Sequence, residues 1–332
     1  MKFGAVPLDQ ALGAILAHSV PLPGSRLRKG AVLTKADIAV LRTAGVTQIV
    51  VAALEAGDVA EDTAATRLAQ ALVPGDQGLI LTEAFTGRVN LKAVGPGLVG
   101  LDTAAIHALN RIHPSITLAT LPPFGRVVAG TLVGTVKIIA YGVPDDALQK
   151  AEAVARAAIR ILPVVRRSAG LLLTEVPGQD GKLGAKGKRA VEARLRALGM
   201  TLADVVVVPH DAAAMAAALA RMSGDMLLIL TGSATSDLYD TGPEALRLAG
   251  GHVARFGMPV DPGNLLFHGM LEGRPVVGLP GCARSPALNG ADWVLERFAC
   301  GLQVTDDDIA AMGVGGLLKE ISLRGQPRDT DD

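Results

Sequence analysis

The sequence predicts an α/β protein whose C-terminal half is a mostly parallel sheet covered by helices on both faces. From residue 170 onward, strands that are apolar throughout alternate with amphipathic segments, a pattern typical of parallel sheets buried on both sides. The 332 residues exceed what one hydrophobic core usually spans, which favours more than one domain. The composition is 49% hydrophobic but only 3% aromatic, and this favours closely spaced α/β layers.

Residues 1–75 are expected to form an N-terminal α+β arm. Thr34 and Asp37 have the spacing of a capping box, in which each side chain accepts a hydrogen bond from the other's backbone amide. The predicted elements are a helix over 8–17, a helix that starts at Thr34 and ends at Gly45, a strand over 47–53 and a helix over 60–73.

Residues 76–144 predict a small β-rich domain, because short β-branched runs such as SITLATL and TLVGTVKII are separated by Gly and Pro. Residues 145–167 are expected to form a connecting helix. Asp145 and Asp146 suit its positive N-terminal end.

Residues 168–320 predict the parallel-sheet domain, and residues 321–332 a disordered tail. In open parallel sheets, ligands bind beyond the carboxyl ends of the strands. The predicted strands cover 170–176, 203–210, 225–231 and 275–281, and the predicted helices cover 187–198, 212–222 and 243–249.

Charge and cysteine content exclude several classes of function. Thirty-two basic residues balance thirty-two acidic ones, so no net field attracts nucleic acid or an anionic membrane. No apolar run reaches the length of a membrane span, and polar residues interrupt the N-terminal apolar stretch, unlike in a signal peptide. Two cysteines are too few for a disulfide framework, which favours a reduced, cytoplasmic protein.

The segment LTGSATSDLYDTGPEAL (230–246) is the strongest candidate binding site. It follows a buried strand and opens a helix, and its small residues let backbone amides approach an anion closely. Thr241 and Glu244 have capping-box spacing, which places Asp240 just outside the helix, where a carboxylate could hold Mg²⁺ or orient a phosphate. The alternative is an ordinary structural turn, since α/β connections routinely use Gly and caps.

Two further segments are expected to frame the same edge of the sheet. GMPVDPGNLLF (257–267) and GLPGCARSP (278–286) each place a Pro-Gly pair where a strand should end. Such pairs favour rigid, irregular loops over generic turns.

These three segments together resemble the molybdopterin-binding domain shared by molybdopterin adenylyltransferases and molybdenum insertases. Their order and spacing agree with that family over residues 168–300, and the N-terminal residues resemble the arm of insertase-like proteins. GMPVDPGNLL and PGCARSP are similar to a subgroup fused to molybdenum-cofactor cytidylyltransferases. Because no Gly-rich nucleotidyltransferase start follows, this chain is expected to be the binding half alone.

The resemblance implies a ligand, molybdopterin or its nucleotide adduct, and a set of site residues. Asp240 takes the acidic position for a metal, Mg²⁺, or for the nucleotide, and Glu175 is a candidate replacement for a missing metal ligand. Asp240 and Glu175 are also the candidate catalytic residues. Arg284 is added because its guanidinium offers a fork of donors to phosphate. The full set of expected cofactor-binding residues is Thr231, Gly232, Ser233, Ala234, Thr235, Ser236, Pro262, Gly263, Asn264, Pro280, Gly281, Arg284 and Ser285.

Departures from the family pattern favour binding over catalysis. Where the insertase loop carries lysines, this chain has Asp261 and Asn264. The acidic positions after the first strand correspond to residues 173–175 and, later, to about 185–187, where most carboxylates are lost. The Ser-Met-Asp-Gly-Tyr segment of the insertase middle domain is absent. Loss of Mg²⁺-holding carboxylates weakens metal-assisted phosphoryl transfer, because the ion neutralises most of the developing charge.

Other polar residues have a functional and a structural interpretation. The functional interpretation of His210 and Asp211 is a proton-transfer pair or a contact to ribose. The structural interpretation is a cap at the end of a strand. Cys282 is interpreted either as a thiol that handles metal or sulfur or as a small apolar side chain that fills space. The basic residues after the first strand are either phosphate ligands or a solvated face; they are Lys182, Lys186, Lys188 and Arg189.

Three hypotheses follow for the function. The first is a module that binds molybdopterin or its nucleotide and delivers it to a cytidylyltransferase or a molybdoenzyme maturation partner. The second is an active Mg-dependent molybdopterin nucleotidyltransferase or molybdenum insertase. The third is an unrelated α/β nucleotide-binding domain. The first is preferred, and the insertase-like arm favours a homodimer.

Overall fold

The computed structural model describes residues 1–178 and 182–318, which fall into two compact units. The N-terminal unit comprises Met1–Gly95 and Val99–Ile161, and the C-terminal unit comprises Pro96–Leu98 and the chain from Leu162 onward. The finer division into arm, β-rich domain, connecting helix and binding domain stays a prediction. The expected disordered tail, 321–332, lies outside the described residues.

The first part of the N-terminal unit is an antiparallel sheet in the order β1-β5-β2 packed against a helix. Its elements are β1 (Lys2–Pro7), β2 (Ile15–Leu16), β3 (Val20–Leu22), β4 (Ser25–Leu27), α1 (Lys35–Thr43), β5 (Gln48–Ala53), β6 (Asp58–Ala60) and α2 (Glu61–Leu72). The capping box of Thr34 and Asp37 is confirmed. The helix expected over 8–17 is wrong: a 3-10 turn covers only Leu8–Gln10, and Gly13, with φ 80°, redirects the chain into β2.

The second part is the antiparallel β-rich region that the sequence predicted, and its main sheet has the order β10-β12-β8-β7. Its elements are β7 (Leu79–Leu81), β8 (Arg88–Ala93), β9 (Gly97–Leu101), α3 (Thr103–Ile112), β10 (Ile116–Thr120), β11 (Arg126–Val127), β12 (Leu132–Ile138), β13 (Gly142–Pro144), α4 (Asp145–Val154) and β14 (Ile159–Pro163). Helix α3 was not predicted; Asp102 caps it by accepting a hydrogen bond of 2.9 Å from the Ala105 amide.

The helix expected over 145–167 is shorter than predicted. It ends at Val154, Ala157 takes a left-handed φ of 57°, and the chain enters β14 at Ile159. A non-glycine residue in that conformation cannot continue a right-handed helix. The predicted extent of the helix is therefore corrected to ten residues.

The C-terminal unit is built on a sheet in the order β16-β15-β17-β20-β19-β18. Its elements are β15 (Ser168–Glu175), α5 (Lys182–Ala197), β16 (Thr201–Pro209), α6 (Ala212–Leu219), β17 (Met226–Leu230), α7 (Thr241–Leu248), β18 (His252–Phe256), β19 (Phe267–Leu271), β20 (Arg274–Gly278), α8 (Gly290–Ala299) and α9 (Asp306–Ala311). The pairs from β16 to β20 are parallel, whereas β19 pairs antiparallel with both neighbours. The prediction of a mostly parallel sheet is confirmed.

Both faces of this sheet are buried. Leu228 of β17 joins a hydrophobic cluster with Leu195 of α5 and Val294 of α8. Its neighbour Leu227 joins a second cluster, with Leu246 of α7 and other residues of α6 and α7. Successive residues of a strand point to opposite faces, so an all-apolar strand such as MLLIL needs a helix layer on each side.

The strand register brings several loops to one edge of the sheet. Leu172 of β15 pairs with Ile229 of β17, which pairs with Gly278 of β20. Gly278 pairs with Phe267 of β19, which pairs with Phe256, the last residue of β18. The chain therefore leaves β15, β17, β18 and β20 at the same edge. Among the described residues, no helix has the length and apolar character needed to cross a bilayer.

Candidate functional site

Three loops form the candidate site at this edge: the β17 loop (231–240), the β18 loop (257–266) and the β20 loop (279–289). The sequence singled out segments in all three. The ends of β15 and β16 lie at the same edge and are tied to the β17 loop by one side chain.

That side chain is Thr174, which is 5% exposed. Its Oγ1 accepts a hydrogen bond of 2.8 Å from the Gly232 amide and lies 2.9 Å from Nδ1 of His210. The hydroxyl thus joins the carboxyl ends of three strands. The neighbouring Asp211 caps α6 by accepting a 2.9 Å bond from the Ala214 amide, which is the structural interpretation considered for this pair.

The β17 loop presents backbone donors. Within the described part of the chain, the amides of Ser233, Ala234 and Thr235 donate to no other protein group. The Ser233 and Ala234 residues are exposed, and Thr235 is buried. Consecutive amides at a strand-to-helix turn form a concave surface that suits an anion.

Asp240 holds this loop closed. Its Oδ2 accepts a 2.8 Å bond from the Ser236 amide, and its Oδ1 accepts a 2.6 Å bond from the Thr241 amide. Burial raises the pKa of this carboxyl, but the Ser236 and Thr241 hydrogen bonds and nearby His210 outweigh it and lower the pKa below its ordinary value. The capping residue of α7 is Asp240 itself, so the expected box starting at Thr241 is wrong.

A metal at Asp240 stays a prediction. Across residues 1–178 and 182–318, no three or more His, Cys, Asp or Glu side chains are grouped so that they could hold a metal ion. Glu175 is exposed at the end of β15, where its backbone carbonyl accepts a hydrogen bond of 3.0 Å from the His210 amide.

Arg284 brings a cation beside the β17 loop. Its Nη2 donates a 2.7 Å bond to the Thr231 carbonyl, while its buried Nε has no partner. Within the described chain it forms no salt bridge, and burial lowers the pKa of its guanidinium. Helix α5 comes close here because Gly187 has no side chain: a Cβ there would lie 2.5 Å from Cδ2 of Leu230 and 3.6 Å from Cγ of Arg284.

Arg194 fixes the β20 loop, and the sequence analysis missed it. This side chain of α5 is 8% exposed and forms a salt bridge of 2.5 Å with Asp292 of α8. It also donates to loop carbonyls, at 2.8 Å to Ala283, 2.9 Å to Ser285 and 3.2 Å to Ala287. The sequence did indicate that Arg194 is buried. It lies three residues after Val191 and directly before Leu195, and so falls on the apolar stripe of α5.

Asn289 is a buried residue of the β20 loop that lies close to the β18 loop, and it was also missed. It is 1% exposed, and its Nδ2 donates to Sγ of Cys282 at 3.0 Å. A Cβ on Gly263 would lie 3.0 Å from its Oδ1, and the Gly290 amide donates to the Pro262 carbonyl at 2.8 Å. Gly263 has φ 140°, so both space and conformation require glycine there.

The site residues that the sequence predicted all lie on these loops or at the end of β15, but they differ in exposure. No hydrogen bond or ion pair within the described chain links the side chains of Asn264 or Glu175 to the β17 loop. The basic side chains of α5 are exposed: Lys182, Lys186, Lys188 and Arg189. Exposed site residues are Ser233, Ala234, Ser236, Asn264 and Glu175; half-buried ones are Gly232, Asp240, Pro262, Gly281, Arg284 and Ser285; buried ones are Thr231, Thr235, Gly263 and Pro280.

A protein family of described function matches the part of the chain that contains the three loops. Residues 180–298 match a family model described as a probable molybdopterin binding domain. The matched segment lies within the C-terminal unit. The matched residues include all of the β17 and β18 loops and the β20 loop, so the resemblance seen in the sequence is confirmed for the molybdopterin-binding domain.

The remaining comparisons do not identify a function. Residues 5–53 match a domain of unknown function (DUF8806). The crystal structure of a molybdopterin biosynthesis MoeA protein from Pyrococcus horikosii is similar at 15% identity and a TM-score of 0.32, over 90% of this chain and 76% of that one. No protein of curated function matches the chain. The resemblance to proteins fused to a cytidylyltransferase stays a prediction.

Proposed function

We propose that the molybdopterin-binding domain holds molybdopterin or its nucleotide adduct at the three loops and delivers it for nucleotidylation or metal insertion in molybdenum-cofactor biosynthesis. One observation carries the proposal. Arg284 is a half-buried cation, with a fully buried Nε, that has no counter-charge in the described chain, and it is anchored to the β17 loop that carries the three unpaired amides of Ser233–Thr235.

Physical chemistry explains why this arrangement suits a phosphate. Burying a cation without a partner costs free energy, and a bound anion would offset that cost. Backbone amides at a strand-to-helix turn and a guanidinium both donate to phosphate oxygens, the guanidinium with a planar fork of donors. Molybdopterin carries such a phosphate, so the β17 loop and Arg284 would bind that end of the ligand.

The β18 and β20 loops would bind the flat heterocycle. Both contain Pro-Gly pairs, and the Gly290 amide, just after the β20 loop, ties them by donating to the Pro262 carbonyl at 2.8 Å. Arg194 fixes the β20 loop from the far side. Because buried side chains hold these loops from behind, their free faces are ordered before a ligand arrives, which reduces the entropy cost of binding.

Two features favour binding and delivery over Mg-dependent nucleotidyl transfer or molybdenum insertion. Both carboxylate oxygens of Asp240 already accept backbone amides, which gives this residue a structural role in the loop. Asp261 and Asn264 stand where the family's lysines would neutralise phosphate charge. A cytidylyltransferase or a molybdoenzyme maturation protein as recipient, and a homodimer as the assembly, remain part of the proposal.

The test is an anaerobic titration with molybdopterin and its AMP and CMP adducts, comparing the wild type with Arg284→Met. Loss of a charged hydrogen-bonding partner is expected to weaken binding about ten-fold or more. Arg221→Met is the matched control, since Arg221 is exposed in the turn after α6 and belongs to none of the three loops. It should bind as the wild type does.

Equal affinity of Arg284→Met and the wild type would contradict the proposed phosphate site. The alternative of an active enzyme is tested in the same samples with ATP and Mg²⁺. Sustained release of pyrophosphate or AMP in the presence of molybdopterin would contradict binding and delivery alone.

A further inference from the structure

A pocket of the C-terminal unit lies on the β18–β19 side of the sheet and shares no lining residue with the three loops of the candidate site. Its volume is about 410 Å³. This is within the ~300–1,000 Å³ range typical of small-molecule sites. Apolar side chains such as Met270, Phe298 and Leu302 line most of it.

One polar side chain in this pocket is buried without a partner. His268 of β19 is 3% exposed, and its Nε2 has no hydrogen-bond partner in the described chain. The imidazole packs edge-on against the Phe298 ring, with a centroid distance of 5.7 Å. Buried polar atoms in native proteins are nearly always paired, so an orphaned ring nitrogen in a pocket wall indicates a missing partner.

The charged groups nearest the imidazole do not supply that partner. Burial lowers the pKa of His268, and Asp306 raises it while Arg255 lowers it. Those two residues are paired with each other in a salt bridge of 2.8 Å. His268 is therefore a neutral imidazole at physiological pH, with one ring nitrogen as donor and the other as acceptor.

The pocket wall also carries a single cation and no acidic side chain. Arg166 donates from Nε to the Phe298 carbonyl at 2.9 Å and from Nη1 to the Asp225 carbonyl at 3.1 Å. Its Nη2 has no hydrogen-bond partner in the described chain. The guanidinium is thus held at the pocket by two carbonyls, with one nitrogen left to bind an anion.

We propose that this pocket binds a small apolar carboxylate, whose hydrocarbon body packs against Phe298 and Leu302 while its polar end meets His268 and Arg166. The apolar lining supplies most of the burial, the imidazole gains the hydrogen bond it lacks, and the guanidinium balances the charge. This site is separate from the molybdopterin loops and does not depend on the function proposed for them.

The test is a titration of the full chain with benzoate, followed by calorimetry and by the ring-nitrogen signals of ¹⁵N-histidine-labelled protein. A ligand of this size is expected to bind with a Kd of about 1 mM or tighter and to shift the His268 signal. Benzamide, which has the same shape without the charge, should bind at least about five-fold more weakly.

Variants separate the pocket from other histidines. His268→Phe preserves the apolar packing and should weaken benzoate binding about ten-fold, whereas His252→Phe, on the exposed face of β18, should leave it unchanged. No shift of the His268 signal at saturating benzoate, or equal binding of benzamide, would overturn the proposal. The ring-nitrogen signal of His268 in the wild-type protein tests benzoate binding even if His268→Phe folds poorly.

Discussion

Replacing Arg194 by Met should destabilise the C-terminal unit far more than a surface arginine would. The guanidinium is buried, pairs with Asp292 and donates to three carbonyls of the β20 loop. Met keeps much of the side-chain volume but leaves Asp292 as an uncompensated, largely buried charge. Breaking a buried pair in this way typically costs about 3–5 kcal/mol. At an m-value of about 2 kcal/mol/M, the urea midpoint would fall by roughly 1.5–2.5 M.

The assay is urea unfolding followed by tryptophan fluorescence. Trp293 is the single tryptophan of the chain and lies in α8 beside Asp292, so it reports on this unit. Arg196→Met is the control: Arg196 lies on the same helix but is 76% exposed and pairs with Glu192 at the surface. Its loss should cost under about 1 kcal/mol. A midpoint for Arg194→Met within error of the control would show that the Arg194–Asp292 pair and its loop contacts do not stabilise this unit.

Two more predictions concern titratable groups. In the native protein at pH 8, iodoacetamide should label the exposed Cys282 and spare Cys300, because burial raises the pKa of the Cys300 thiol to about 12. Mass spectrometry that finds both thiols labelled before unfolding would contradict this prediction. The folded state holds the pKa of Asp240 below 3.8, so this residue stabilises the fold above that pH, and the contribution is lost as pH falls through the lowered pKa. Wild type should therefore lose more unfolding free energy than Asp240→Asn between pH 5 and pH 3, measured by denaturant titration; parallel profiles would argue against the Asp240 hydrogen bonds.

The sequence could predict the parallel sheet because its strands are apolar over their full length. The run MLLIL is β17, buried at every position, and no amphipathic helix or half-exposed strand has that pattern. The antiparallel β-rich region was predicted on similar grounds. Helix α3 was missed within it, since its capping residue Asp102 stands in a segment whose flanks are β-branched.

The candidate site was predicted as three segments, but the side chains that assemble it were not. Thr174 and Arg194 act across elements far apart in sequence, and their partners become evident only when the fold brings them together. The contact of Asn289 with Cys282 lies within the β20 loop. Arg194 on the apolar stripe of α5 was the one sequence signal available. The helix expected over 8–17 failed for a local reason, because Gly13 breaks a pattern that apolar spacing alone favours.

The amides of Ser233, Ala234 and Thr235 and the guanidinium of Arg284 are proposed to bind the phosphate of molybdopterin. The most direct measurement is an amide-resolved NMR titration of the ¹⁵N-labelled chain with molybdopterin under anaerobic conditions. We expect the largest shifts at those three amides and at Nε of Arg284, which has no partner within the described chain. Shifts confined to other surfaces, or none at saturating ligand, would contradict it.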